Sequence, residues 1–237
     1  MISNEILLIG SIVFYYGLLI AWFWMFGKQG LLTFTVLATI AANIEVLILV
    51  NAFGMEQTLG NVMFASTFLV TDIMSEIYGK KEAQKAVNVG IATSLSFIVV
   101  SQYWLLYTPS AGDWAFSSIN EIFSSTPRMM IASFVVYLIA QKFDVWAYHK
   151  WWAFTEKISG DRHKYLWVRN NGSTLLSQLV NTLLFTLFAF WGTYDMPTIA
   201  SIVASSYVVF IFTSLADTPA VYLARYLSEK HKIKGIE

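Results

Sequence analysis

Residues 59–79 read LGNVMFASTFLVTDIMSEIYG. Crossing a bilayer as a helix takes about 20 mostly apolar residues, and this stretch has that length and character. It also carries Asp72 and Glu76 one helical turn apart. A carboxylate at membrane depth costs about 2.5–3.5 kcal/mol on insertion scales, so such residues are generally functional. Comparable apolar stretches flank it, giving seven spans at about 6–26, 31–53, 59–79, 83–107, 127–148, 173–193 and 199–223. The expected fold class is all-α: a polytopic membrane helix bundle of seven helices, with six as the alternative, in a single integral membrane domain over 1–237.

Composition points the same way. Hydrophobic residues make up 57% of the chain and charged residues 13%, with a mean hydropathy of +0.58. Soluble domains average about 25% charged residues. The net charge is zero, so nothing in the balance suggests a nucleic-acid partner. Cysteine is absent, so disulfides, iron–sulfur clusters and thiolate catalysis are excluded. His149, His163 and His231 fall outside the apolar cores, so no intramembrane metal site and no cofactor are expected. The first stretch is read as an uncleaved span, because no basic leader precedes it and no small-x-small site precedes Lys28.

Loop charges orient the spans. Lys28, then Lys80, Lys81 and Lys85, then Lys150, Lys157, Arg162, Lys164 and Arg169, then Arg225, Lys230, Lys232 and Lys234 all fall on one side. The alternate loops hold Glu56, Asp113, Glu121 and Asp195, with Arg128 their only basic residue. The positive-inside rule then puts the N-terminus outside and the C-terminus in the cytoplasm, in a multi-pass cell (inner) membrane protein. The outer loop at about 108–126 is expected to carry short interfacial structure around Trp114–Phe123. The inner loop 149–172 is basic and aromatic, which suits an amphipathic surface helix.

Residues three and four apart share a helix face. The polar lines are Phe68, Asp72, Glu76 on span three and Ser133, Tyr137, Gln141, Asp144, Tyr148 on span five. Span six has Thr174, Gln178, Asn181, Phe185, and span seven has Phe210, Ser214, Asp217. Four spans with one polar line each imply a shared interior. At about 1.5 Å per residue, Asp72 lies roughly 10 Å above the cytoplasmic end of its span, with Gln178 and Asp217 at similar depth. Asp144, Glu76, Asn170 and Asn171 lie nearer the inner mouth, so a cavity in the cytoplasmic half is expected. Thr35, Thr39, Asn43 and Ser133 read as helix-to-helix contacts, worth about 0.6–2 kcal/mol each. Glu45 is deep in span two, with no partner assigned.

Four segments carry a family signature: TDIMSEIYGKKEAQKAV (71–87), PRMMIASFVVYLIAQKFDVWAYHK (127–150), WVRNNGSTLLSQLVNTLLFTLFAF (167–190) and DTPAVY (217–222). In order and spacing, over about residues 40–225, they resemble the queuosine precursor transporter family, also called the vitamin-uptake-transporter family. The resemblance implies import of a deazaguanine base: queuine, the nitrile base or the aminomethyl base. Two positions depart from the family pattern. Asn181 stands where an aspartate is common, and the last span reads Tyr207-Val208-Val209-Phe210 where many members place a lysine.

Deazaguanine presents adjacent N–H and amino donors, which a carboxylate accepts in bidentate fashion. The expected substrate-binding residues are therefore Phe68, Asp72, Glu76, Tyr137, Gln141, Asp144, Asn170, Asn171, Gln178, Asn181 and Asp217. Phe68, Tyr137 and Phe185 are suited to stack on the ring at about 1–3 kcal/mol per contact. Arg128, Arg169 and Ser177 are expected in structural or gating roles, the arginines pairing with acids or capping span ends. Two carboxyls as close as Asp72 and Glu76 leave room for proton coupling. Transporters of this size often form homodimers. Two rival classes are a substrate-capture subunit of an ATP-driven vitamin importer and an intramembrane enzyme. The chain has no phosphate-cradling glycine loop for ATP and no metal or nucleophile constellation at membrane depth.

Overall fold

The computed structural model describes residues 3–124 and 127–230, without the side chains of Glu56 and residues 127–130. The helices are α1 (Asn4–Phe26), α2 (Lys28–Glu45), α3 (Gly60–Tyr78), α4 (Lys80–Trp104), α5 (Phe116–Ser124), α6 (Pro127–Ser159), α7 (Leu166–Phe190) and α8 (Met196–Lys230). Two strands, β1 (Leu49–Ala52) and β2 (Met55–Thr58), intervene between α2 and α3. Four helices, α1, α4, α7 and α8, are long and apolar enough to cross a membrane by length and composition. The other long ones, α2, α3 and α6, have 18, 19 and 33 residues.

Successive helices reverse through minimal turns. Gly27 separates α1 from α2 and Gly79 separates α3 from α4, at φ of 59° and 84°. That left-handed backbone suits glycine, which has no Cβ to clash. The starts of α1, α3, α6 and α8 therefore share one end of the bundle with the hairpin, and their finishes share the other. Lys28, Lys80, Lys81, Lys85, Arg162, Lys164 and Arg225 gather at the second, basic end. Glu5, Asp113, Glu121 and Asp195 lie toward the hairpin end.

The hairpin interrupts an otherwise helical bundle and corrects the second span, whose helix stops at Glu45 rather than continuing to residue 53. Leu49 pairs with Thr58 and Ala52 with Met55, around a turn at Phe53 and Gly54 with φ of 54° and 72°. Positive φ at both central residues is the type I′ geometry that matches strand twist. The hairpin is fastened to α1: Asn4 Nδ2 donates to the Asn51 carbonyl at 2.8 Å and the Phe53 amide to Glu5 at 3.1 Å. Two further bounds move. α6 runs on to Ser159 and α7 begins at Leu166, so the expected inner loop with its surface helix shrinks to a short connection. Arg169, Asn170 and Asn171 thus lie within a helix. The outer loop does hold a short helix, α5.

α3 is the axis of the bundle, packing against α1, α2, α4, α6 and α8. Its residues from Ala65 to Ser75 are all buried. Leu19, Phe23, Phe34, Leu69, Ile73 and Val87 form the centre of an apolar core at the α1–α4 side. The exterior is apolar as well, with Val13 70% exposed and Phe212 63% exposed, while Asp72, Asp144, Asp217 and Arg169 are wholly buried. An apolar exterior around a polar interior is the distribution a hydrocarbon solvent selects.

Candidate functional site

The polar lines of α3, α6, α7 and α8 meet in a layer at the centre of the bundle. Thr174 on α7 donates to Asp72 Oδ2 on α3 at 2.9 Å, and Ser177 donates to Asp144 Oδ1 on α6 at 2.8 Å. Gln141 Nε2 donates to Thr67 Oγ1 at 2.7 Å, and the Thr71 hydroxyl lies 3.4 Å from both Gln141 Oε1 and Asp144 Oδ2. Asp217 on α8 completes the layer, with both carboxyl oxygens buried and neither making a well-formed hydrogen bond. Tyr16 of α1 lies within electrostatic reach of Asp217, its hydroxyl aimed at the Thr213 carbonyl at 3.4 Å. Asp72 Oδ1, Gln178 Nε2 and both amide atoms of Asn170 are also buried and unpartnered.

None of these three aspartates forms an ion pair among the described residues. Ionised carboxylates in a buried layer are among the costliest arrangements a fold can hold unless protons, cations or hydrogen-bond donors relieve them. Such a layer is poised to take up donors.

Below it, at the basic end, Glu76 is clamped. Arg169 Nη2 reaches its two oxygens at 2.7 and 2.8 Å, and Arg169 Nε adds a contact at 3.0 Å. Tyr148 donates to the same carboxylate at 2.8 Å, and Arg225 Nη1 lies at 3.4 Å. The Arg169 guanidinium also donates to the Lys164 carbonyl at 2.9 Å and sits 4.4 Å above the Trp152 ring. Its side chain is 0% exposed and that of Glu76 4% exposed. The clamp ties α3, α6, α7 and α8 together. Asp72 and Glu76 therefore belong to different assemblies rather than acting as one acid pair.

Open space lies on the other side of the layer. A cavity of about 500 Å³ opens at the hairpin end between the hairpin and the ends of α2, α3, α7 and α8. Gln57, Thr58, Asn61, Asn181, Phe185 and Phe210 are among its lining residues, and none of the described lining residues is charged. Phe64 separates this space from the carboxyls: its ring centroid lies 5.4 Å from Phe68, 5.9 Å from Tyr137 and 6.5 Å from Phe210. Tyr137 fits because position 90 is glycine; a Cβ there would lie 1.9 Å from the tyrosine oxygen.

Of the residues singled out in the sequence, Asn181 and Phe185 reach this cavity, while Asp72, Gln141, Asp144, Ser177, Gln178 and Asp217 lie in or beside the buried layer. Asn181 bridges the two, with Nδ2 3.4 Å from Gln178 Oε1. Asn171 joins helices, donating to Thr218 at 2.6 Å and accepting from Ser214 at 3.2 Å. The Arg128 side chain lies outside the described residues. Glu45 finds a partner in Tyr15 of α1, at 3.1 Å. Sequence reasoning missed Thr67, Thr71 and Tyr16 as members of the layer, and Gln57 and Asn61 as cavity residues. The Phe53-Gly54 turn was the available sign that Gln57 lies on a strand.

A lipid-facing bundle with a titratable interior that is open at one end and clamped at the other has the build of a multi-pass membrane transporter. The chain belongs to the family described as "Putative vitamin uptake transporter", whose model matches residues 58–224. A Bacillus subtilis (strain 168) protein named "Probable queuosine precursor transporter" is 38% identical over 200 residues, covering 84% of this chain and 85% of that one. The Escherichia coli (strain K12) "Queuosine precursor transporter" is 25% identical over 165 residues, 68% of each chain. A Haemophilus influenzae protein named "Probable queuosine precursor transporter" is 27% identical over 145 residues, 61% of this chain and 57% of that one. No solved structure matches the chain. The family is one of transporters rather than enzymes.

Proposed function

We propose that this protein imports a queuosine precursor, a deazaguanine base, across the cell's inner membrane by alternating access. In this reading the whole chain is one membrane domain whose seven long helices all cross, with the hairpin end outside and the basic end in the cytoplasm. The observation that carries it is the layer of Asp72, Asp144 and Asp217: three buried carboxyls with no basic partner among the described residues, set between an open cavity and a clamped end.

The base enters from the hairpin side and passes Asn181 once Phe64 and Phe210 yield. A carboxylate of the layer accepts its paired N–H and amino donors, and this reading assigns the role to Asp72, whose Oδ1 is unengaged and whose Oδ2 is oriented by Thr174. Gln141, Gln178 and Asn170 offer amides to the ring edges, and Phe68 and Tyr137 offer faces for stacking. Asn171 and Ser177 hold α7 in register with its neighbours. Opening toward the cytoplasm requires release of the Glu76–Arg169 clamp. One carboxyl of the layer accepts the base while a neighbouring carboxyl takes a proton from the outer side, and both base and proton leave toward the cytoplasm, which couples uptake to an inward proton gradient.

Uptake of labelled deazaguanine bases into cells unable to make them tests this reading. Expression of the protein should confer saturable uptake that falls when an uncoupler collapses the proton gradient. Absence of uptake for every precursor overturns the substrate, and uptake indifferent to the uncoupler overturns the coupling.

A further inference from the structure

The cavity at the hairpin end contains a feature that the central layer does not explain. Gln57 on β2 is 4% exposed, yet neither atom of its amide has a hydrogen-bond partner. Asn61, the second residue of α3, has its Oδ1 occupied by the Thr58 hydroxyl at 3.1 Å, while its Nδ2 is buried and unpartnered. Both residues line the cavity. A buried amide group left without a partner costs about 1–3 kcal/mol. Two on one wall, held there by a tight hairpin turn and a helix start, are a standing cost that a visiting ligand would remove.

The kind of ligand follows from the lining. Gln57 offers a donor and an acceptor, Asn61 offers donors, and Asn181 adds a third amide at the inward edge. Adjacent donor and acceptor atoms complement a lactam edge, in which a ring carbonyl lies beside a ring N–H. Phe185 and Phe210 supply apolar faces for a flat ring. The described lining residues are neutral.

We propose that Gln57 and Asn61, with Asn181, form an entry site that reads the lactam edge of a flat heterocycle before it reaches the buried carboxyls. This rests on the transport function proposed above and adds a selection step outside the central layer. Selection at this site is made by hydrogen bonding. A site built to bond an N–H discriminates strongly against an analogue that lacks it, because the protein's polar group is then left unpaired.

The test compares uptake of the nitrile-bearing deazaguanine base by the full-length protein with competition from its analogue methylated on the lactam nitrogen. The unaltered protein should bind the methylated analogue about ten- to a hundredfold more weakly. Gln57→Leu should raise KM for the parent base by about the same factor, leave the maximal rate in place and reduce the preference to the part that the central carboxylate reads. Asn61→Ala should act in the same direction, at similar levels of protein in the membrane. An unchanged KM with the preference retained overturns the entry site while leaving the transport function intact. Failure of the unaltered protein to transport any deazaguanine overturns both. A second measurement does not depend on transport by the variant. The chain has no cysteine, so Gln57→Cys should react with an impermeant thiol reagent applied from the hairpin side, and saturating base should slow that reaction. Labelling that the base does not affect counts against the site.

Discussion

Where α3 ends, one carboxylate is held by two guanidinium groups and a phenol; where α3 begins, a hairpin and a rim of amides and aromatic rings leave about 500 Å³ open. The first end is closed by charge, with Arg169 and Glu76 almost wholly buried. The second is bounded by neutral groups, several without partners. A buried ion pair gives up its stabilisation abruptly when one member leaves, whereas a neutral rim yields gradually. The contrast assigns the two ends different work. In the function proposed above, the clamped end holds one conformation until it is released, and the open end samples ligands.

The largest expected effect comes from breaking the clamp. Arg169→Ala leaves the Glu76 carboxylate buried, with Tyr148 and the more distant Arg225 as its remaining partners. Removing one partner of a buried pair costs about 3–5 kcal/mol, so thermal unfolding in detergent should shift far downward. Replacing both residues, as Glu76→Met with Arg169→Met, should recover most of that loss, because neither charge is then stranded. If Arg169→Ala unfolds at the parent's temperature, the charge-closed description of this end is wrong.

Next in size is Asp72→Asn, between the two ends. Taking a charge out of a buried layer relieves desolvation, so the protein should fold and insert normally. An amide cannot accept two donors side by side, and one ligand N–H loses its partner, worth about 1–3 kcal/mol. Binding of the base, measured by calorimetry in detergent, should weaken by about one to two decades. Unchanged affinity would move recognition out of the central layer. Glu76→Gln should instead lower stability, since its partner Arg169 would be left buried.

How far the sequence revealed each region follows from the range of the interactions. The shared interior of α3, α6, α7 and α8 was legible, because residues three and four apart lie on one face whatever the fold does elsewhere. Asp72, Gln141, Asp144, Gln178 and Asp217 were found on that rule. The Glu76–Arg169 clamp spans 93 residues, and no local period encodes which acid meets which base across that distance. An arginine paired with an acid was legible; which acid was not. The hairpin was hidden for a different reason. Residues 46–50, VLILV, extend the apolar run of α2, so composition favours a longer span. Only the turn at Phe53-Gly54 opposes it, and the wall on which Gln57 lies depends on strand register rather than helical period.

The smallest expected effect lies at the open end, at the start of α8. Asp195 precedes Met196 and accepts from the Thr198 amide at 3.3 Å, the geometry of an N-terminal cap. Hydrogen bonds from the Thr198 side chain and amide hold the Asp195 carboxyl below its ordinary value. A depressed carboxyl contributes stability above its unfolded pKa, near 3.9 for aspartate, and loses it as pH falls through the folded value. The first turn of α8 should therefore be tightest near neutral pH and loosen in the acid range below about pH 4. Hydrogen exchange at the Thr198 and Ile199 amides reports this directly, once corrected for the intrinsic slowing of exchange in acid. Asp195→Asn keeps a capping side chain that does not titrate, so protection in that turn should become independent of pH across the window. The change should be local, leaving thermal unfolding close to that of the parent, in contrast to the Arg169→Ala loss. A substantial fall in unfolding temperature for Asp195→Asn would mean that the open end is also held by charge, and the division between the two ends would fail.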